Sequence, residues 1–245
     1  MHFSSYIVAE KVFLMKATAV SLLFFFFFLL VGCKSTESSM ANKKQILKNN
    51  YLKGNSIALY EGINDTSFVK LKNLSGDFVF DMKYATADNF LKQKVYDCDE
   101  CYLRMKTIKN LMDANAEFMQ KGYRIKLFDC YRPLDIQKKM WEIVPNADYV
   151  ADPKKGSVHN RGGAIDITLV DADGKELDMG TPFDFFGIKA SHNYKDLPNR
   201  VLKNRAYLKE IMLKHHFKSF ESEWWHYNLE ESMKDPLANF KWKCN

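Results

Sequence analysis

Two short stretches of the chain hold residue types that could do chemistry together. Ser157 to Val170 reads SVHNRGGAIDITLV and places His159 seven residues before Asp166, across the pair Gly162-Gly163. Glu221 to Tyr227 reads ESEWWHY and places Glu223 three residues before His226, among aromatics. Two imidazoles and one carboxylate are ordinary zinc ligands, and as a set of three they leave a tetrahedral ion one open position. A fourth carboxylate that does not ligate can then serve as a base toward water.

Each stretch also has a plainer reading. An ionised Asp166 inside an apolar strand costs several kcal/mol unless a cation or several donors meet it, and capping a turn or pairing with an arginine would also satisfy it. His226 could be a core histidine hydrogen-bonded beside the tryptophans, with Glu223 in solvent. On a regular strand, positions i and i+3 point to opposite faces. Glu223 and His226 therefore share a site only if the chain bends between them. The first pair alone favours the plainer reading; a second histidine with its own acid, more than fifty residues away, shifts the balance toward a metal site.

The elements that must position these residues are legible in part. Phe78 to Tyr84 alternates as a strand. Arg104 to Gly122 carries apolar residues at helical spacing, with Gly122 as a natural stop. Tyr123 to Phe128 alternates again and runs into Asp129-Cys130-Tyr131-Arg132-Pro133, where Pro133 suits the start of a helix from Leu134 to about Val144. Residues 145 to 163 read as loop, Ala164 to Val170 as a strand, and Asp171-Ala172-Asp173-Gly174 as a turn with a hairpin return. Asn199 to His216 reads as a third helix and Phe217 to Leu229 as a last strand or strand pair. There is no regular βαβ repeat and no glycine-rich phosphate loop. The fold class expected is α+β: a single domain, 66–230, with a small antiparallel sheet flanked by helices, and residues 231–245 as a C-terminal tail.

With 245 residues, 47% hydrophobic and 27% charged, the chain is ordinary for a globular protein. The net charge of +6 is spread out, without the basic block expected of a nucleic-acid partner. Ala17 to Gly32, ATAVSLLFFFFFLLVG, is an uncharged apolar run after Lys16. It is short for a membrane span, which needs about 20 residues, and has the form of a signal peptide, 1–32. Met15-Lys16 is a better signal start than Met1, so residues 1–14 are read as an upstream extension. Leu30-Val31-Gly32-Cys33 resembles the bacterial lipobox, which implies lipidation of Cys33 and a polar tether over 33–65. The expected location is outside the cytoplasm, anchored to the bacterial membrane by lipid, periplasmic or at the cell surface. The other four cysteines, an even count in an exported chain, favour disulfides. Three pairings are open; we favour Cys101 with Cys130, leaving Cys98 for Cys244 or free.

Taken together, SVHNRGGAID, EWWHY and DCYRP resemble the zinc D-alanyl-D-alanine dipeptidases of the vancomycin-resistance type, within the zinc D,D-peptidases that share a fold with the hedgehog signalling domain. The resemblance covers roughly residues 74 to 230 and includes Asp81 to Thr86, Asn89-Phe90 and Met179 to Asp184. It implies one zinc ion per chain held by His159, Asp166 and His226. It makes Glu223 the general base and acid, which takes a proton from the attacking water and delivers it to the leaving amine. Arg132 becomes the group that stabilises the tetrahedral oxyanion, a task suited to fixed donors and a permanent charge. Asp184 would hold the substrate's free amino group, with Ser157 and Tyr84 in contact with substrate. Arg132 read alone is a strand-end arginine paired with Asp129, and Asp184 read alone is a turn residue. Lys83 stands where the family more often has arginine, and the lipobox is at odds with the cytoplasmic location of the best-known relatives.

The other histidines read as ordinary: His215-His216 ends a helix, where a protonated imidazole suits the dipole, and His192 reads as exposed in a loop. Trp224 and Trp225 read as core or pocket wall. The function expected is hydrolysis of D-Ala-D-Ala or a related short D-containing dipeptide from cell-wall material. The alternatives are a D,D-carboxypeptidase or endopeptidase acting on peptidoglycan stem peptides, and a non-catalytic binding lipoprotein.

Overall fold

The computed structural model describes residues 62–244. The signal peptide, Cys33 and most of the tether lie outside the described residues. The domain carries a five-stranded sheet in the order β2-β4-β5-β7-β6, formed by β2 (Val79–Phe80), β4 (Arg124–Asp129), β5 (Ala164–Val170), β6 (Phe217–Phe220) and β7 (Glu223–Leu229). All neighbouring pairs are antiparallel except β2 with β4, which is parallel, so the sheet is mixed rather than wholly antiparallel. A separate antiparallel pair joins β1 (Phe68–Lys70) to β3 (Tyr102–Arg104).

The described residues hold three α-helices. Helix α1 (Met105–Met119) buries Met105, Ile108, Leu111, Ala114 and Phe118 at helical spacing and packs against β4. Its Asn115 is buried too, and Asn115 Oδ1 accepts the backbone N–H of Ile125 at 2.8 Å, which ties the helix to the next strand. Helix α2 (Leu134–Ile143) starts after Pro133, as expected, and buries Gln137 and Met140. Helix α3 (Asn199–Lys214) packs on β6 and β7 through Val201, Leu208, Ile211 and Met212.

Every residue of β5 is buried, which places this strand at the centre of the domain. Ile165, Ile167 and Leu169 alternate with Ala164, Asp166 and Thr168, so a strand built of β-branched and apolar residues carries one carboxylate at a fixed height. Elsewhere the strand expectations need correction. Of Phe78 to Tyr84, only Val79–Phe80 pairs, because Lys83–Ala85 winds into a 3-10 turn. The return after Asp171–Gly174 is a single bridge, Val170 with Glu176, rather than a hairpin strand.

The segment after residue 230 packs onto the domain. Phe240 stacks on Tyr131 with ring centroids 4.6 Å apart, and Ala238 donates to the Asn160 carbonyl at 2.9 Å. Cys98 is bonded to Cys244 and Cys101 to Cys130, so the favoured pairing is present and the remaining two cysteines are joined.

Candidate metallopeptidase site

Two irregularities in the sheet build the site. Along β4 and β5 the register runs Leu127 opposite Ile167 and then Asp129 opposite Asp166, so one extra residue sits in β4. Such a bulge rotates the residues beyond it, and Asp129, which would otherwise share a face with Leu127, turns to the face of Asp166. The second irregularity lies in β7. Tyr227 pairs with Ser219, but the next residue of β6, Phe220, pairs with Glu223. The residues between depart from the ladder, which is the bend that Glu223 and His226 need. Glu223 Oε2 ends 3.8 Å from His226 Nδ1.

His159 reaches the same point from a 3-10 turn, His159–Arg161. Gly162 has a φ of 71°, and a Cβ there would lie 2.2 Å from the Phe68 ring; a Cβ on Gly163 would lie 2.1 Å from that of Ser232. The two glycines therefore serve both a left-handed turn and a close approach to neighbouring elements. Asp166 and His226 are directly opposed across β5 and β7.

The three candidate ligand residues form a small triangle, in which Asp166 meets each histidine through a different oxygen. His159 Nε2 is 3.2 Å from His226 Nδ1 and 3.4 Å from Asp166 Oδ2, and His226 Nδ1 is 3.0 Å from Asp166 Oδ1. A tetrahedral ion with bonds of about 2.0–2.1 Å spaces its donors by about 3.3 Å. The outer hydrogen bonds agree. His159 Nδ1 donates to the Cys130 carbonyl at 2.7 Å, and His226 Nε2 donates to Asn228 Oδ1 at 2.9 Å. Both neutral rings then aim a lone pair at the same point as a carboxylate, an arrangement that calls for a cation. Burial opposes a charged imidazole, but the hydrogen bond and charge of Asp166 prevail and push His226 up to about 9. Burial would raise Asp166, yet His159 and His226 hold it below the usual carboxylate range.

Around this triangle stand the other candidates. Arg132 is buried: its Nη2 and Nε donate to Asp129 Oδ2 at 2.6 and 3.2 Å, its Nη1 donates to Gln137 Oε1 at 2.9 Å, and its guanidinium lies over the Tyr84 ring. The pairing with Asp129 and a place in the site thus hold together. Asp184 has a left-handed backbone, φ 57°, and accepts the Tyr84 hydroxyl at 3.2 Å. Its carboxyl is raised well above the usual range, first by burial and then by the charge of Asp166. Glu223 is raised as well, mainly by burial. The Ser157 hydroxyl donates to Asn160 Oδ1 at 3.2 Å, within its own turn. All eight candidates among the described residues, including Tyr84 and Ser157, line one cavity of about 400 Å³, a volume ordinary for a small-molecule site.

Several residues that matter here had no signal in sequence. Asn228 and Gln137 are polar residues on regular elements, and only their partners reveal them. Tyr149 and Phe186, from loops far apart in sequence, meet with ring centroids 4.2 Å apart at the cavity wall. His192 is not exposed as expected: it lies against Tyr227, and burial lowers it to about 4. Trp225 lines the cavity and Trp224 donates to Thr181 Oγ1 at 2.9 Å, which makes them wall and core as read.

Two histidines and an aspartate converging on one point, with a half-buried carboxylate and a buried arginine beside them, are the donor set and neighbours that a zinc metallopeptidase centre requires. The chain is recognised from residue 64 to 243 by the family model for D-ala-D-ala dipeptidase, peptidase M15. It is 34% identical over 179 residues to the D-alanyl-D-alanine dipeptidase of Escherichia coli (strain K12), covering 73% of this chain and 93% of that one. It is 31% identical over 201 residues to that of Enterococcus faecalis (strain ATCC 700802 / V583), covering 72% and 98%, and 31% identical over 183 residues to that of Enterococcus faecium, covering 65% and 88%. The chain belongs to the D-ala-D-ala dipeptidase family of zinc metallopeptidases.

Proposed function

We propose that this chain hydrolyses D-Ala-D-Ala or a closely related D-containing dipeptide released from cell-wall material. The observation that carries the reading is the placement of Asp184. A half-buried carboxylate, held by Tyr84, faces the same cavity as Glu223, Arg132 and the ligand triangle. An anion at that point suits a free α-amino group, which a dipeptide presents close to its scissile bond and a longer peptide does not.

When bound, zinc would supply Lewis acidity, polarising the scissile carbonyl and lowering the pKa of water to about 7. His159, Asp166 and His226 would hold it, with Cys130 and Asn228 orienting the two rings. Glu223 removes a proton from the attacking water and returns it to the leaving amine, a role suited to a carboxylate that burial has made more basic. Arg132, braced by Asp129 and Gln137, directs its charge toward the developing oxyanion without having to reorganise. Asp184 and Tyr84 orient the amino end, and Ser157 stands at the wall.

Export and lipid attachment at Cys33 belong to the same proposal. Two disulfides within the domain support an oxidising compartment, and outside the cytoplasm the substrate pool is wall fragments, which favours scavenging. The test is incubation of the zinc-loaded protein with D-Ala-D-Ala and with a stem pentapeptide. D-alanine should be released from the dipeptide; cleavage of the pentapeptide alone would replace this reading with a D,D-carboxypeptidase.

A further inference from the structure

The Cys101–Cys130 bond sits at the hinge between the sheet and the site, and what Cys130 touches gives it a second role. Just past the bulge in β4 the chain leaves the ladder, and Asp129, Cys130 and Arg132 each make one contact that the site depends on. The Cys130 carbonyl accepts His159 Nδ1–H at 2.7 Å, which sets the tautomer and tilt of that ring. Asp129 braces Arg132 through Oδ2 and accepts the Cys130 N–H at 2.9 Å through Oδ1. The Arg132 N–H closes the loop on the His159 carbonyl at 3.1 Å. Cys130 is therefore the residue through which a metal ligand and the arginine share one backbone position. Its sulfur is bonded to Cys101, which precedes β3 in the other sheet, and both cysteines are fully buried.

We propose that the Cys101–Cys130 disulfide is a positioning element of the metal site, holding the Cys130 carbonyl against His159 and keeping Arg132 in register with it. The Cys98–Cys244 bond has no such contact. It fastens the segment after residue 230, over a separation of 146 residues against 29 for the other. The two bonds thus divide the labour: the longer loop contributes more to stability through the unfolded chain, and the shorter one to the geometry of the site. Two hydrogen bonds, Cys130 N–H to Asp129 and Tyr131 N–H to the Tyr102 carbonyl, also hold the segment, so losing the disulfide loosens the site without abolishing it.

The proposal rests on the reading of the triangle as a zinc site but not on the dipeptide as substrate. Zinc affinity, measured by competition with a chromophoric chelator, is therefore read separately from turnover. The full-length protein is compared with C101A/C130A and C98A/C244A at a temperature where circular dichroism finds all three folded. C98A/C244A should show the larger fall in Tm, with native zinc affinity and kcat. C101A/C130A should bind zinc about tenfold to a hundredfold more weakly, the usual effect of losing a group that orients a ligand, and its kcat should stay depressed at saturating zinc because Arg132 has lost register. A folded C101A/C130A with native zinc affinity and kcat overturns the proposal. If that variant does not fold, C98A/C244A prepared with Cys101 and Cys130 as free thiols of native volume replaces it, with the same two readouts. Failure of both to fold assigns the bond to the fold alone and also overturns the proposal. Wild-type protein that binds zinc but leaves D-Ala-D-Ala intact would sink the substrate reading while leaving this comparison valid.

Discussion

Glu223 Oε2 and His226 Nδ1 lie 3.8 Å apart although they are three residues apart in one strand. A regular strand would put them on opposite faces of the sheet. The break in the β6–β7 register brings both to the face where Asp166 and His159 wait. In that position Glu223 stands beside the ligand triangle but outside it, where the proposed mechanism needs a base. Glu223→Gln should keep zinc and the fold while lowering kcat by about 10²–10⁴, the range for losing a general base and acid. Turnover within a few-fold of wild type at full zinc occupancy would remove Glu223 from the mechanism.

Arg132 is held by two residues at once, and this separates charge from geometry. Arg132→Lys keeps a cation but cannot grip both Asp129 and Gln137. The expected loss is about 10²–10³ in kcat, comparable to removal of an oxyanion donor, with KM changed little. An unchanged kcat with a lower Tm would mean that Arg132 serves the fold only.

Asp184 carries opposite costs for stability and binding. Burial, reinforced by Asp166, raises its carboxyl above the usual range against the opposing pull of Tyr84 and Arg132. A folded-state pKa above the unfolded one means the folded chain binds more protons, so ionising this group costs stability as pH rises above about 4. Asparagine also tolerates the left-handed backbone at this position. Substrate-free Asp184→Asn should therefore match wild type near pH 4 and exceed it in Tm at neutral pH. Its KM for D-Ala-D-Ala should rise about 10–100-fold, the loss of a charge-assisted hydrogen bond. An unchanged KM would place the amino group elsewhere.

Tyr149 and Phe186 separate the catalytic cavity from an adjoining groove lined by Asp148, Phe185, Ile188 and Glu223. Phe90 meets Phe186 edge-on with ring centroids 4.9 Å apart, which extends the wall. Replacing Tyr149 and Phe186 together by alanine joins the two spaces. Dipeptide turnover should fall, and the rate on a stem pentapeptide relative to the dipeptide should rise by about tenfold or more, a change of pocket contacts worth about 1–3 kcal/mol. A fixed ratio would show that the limit on substrate length lies elsewhere.

Much of this site was legible as composition and order. His159, Asp166, Glu223 and His226 are of the right types, and the strand AIDITLV declares itself by its apolar run. Helices α1 and α2 begin within a residue of where periodicity and Pro133 place them, because those signals are local. Less legible was whatever depends on register. The bulge that turns Asp129 toward Asp166 and the break that joins Glu223 to His226 leave no mark in a one-dimensional pattern. They arise from how strands distant in sequence settle against one another.

The amino-acid sequence by itself determined which donors the chain can offer a metal, which strand carries the aspartate, and which glycines permit the turn before it, because these depend on side-chain chemistry and backbone freedom. Only the tertiary structure decided that the donors meet. It set a triangle of 3.0 to 3.4 Å, aimed both imidazoles through Cys130 and Asn228, and brought Asp184 across from a distant loop. Those outcomes depend on long-range strand pairing, where a shift of one residue would turn Asp166 and His226 to the other face.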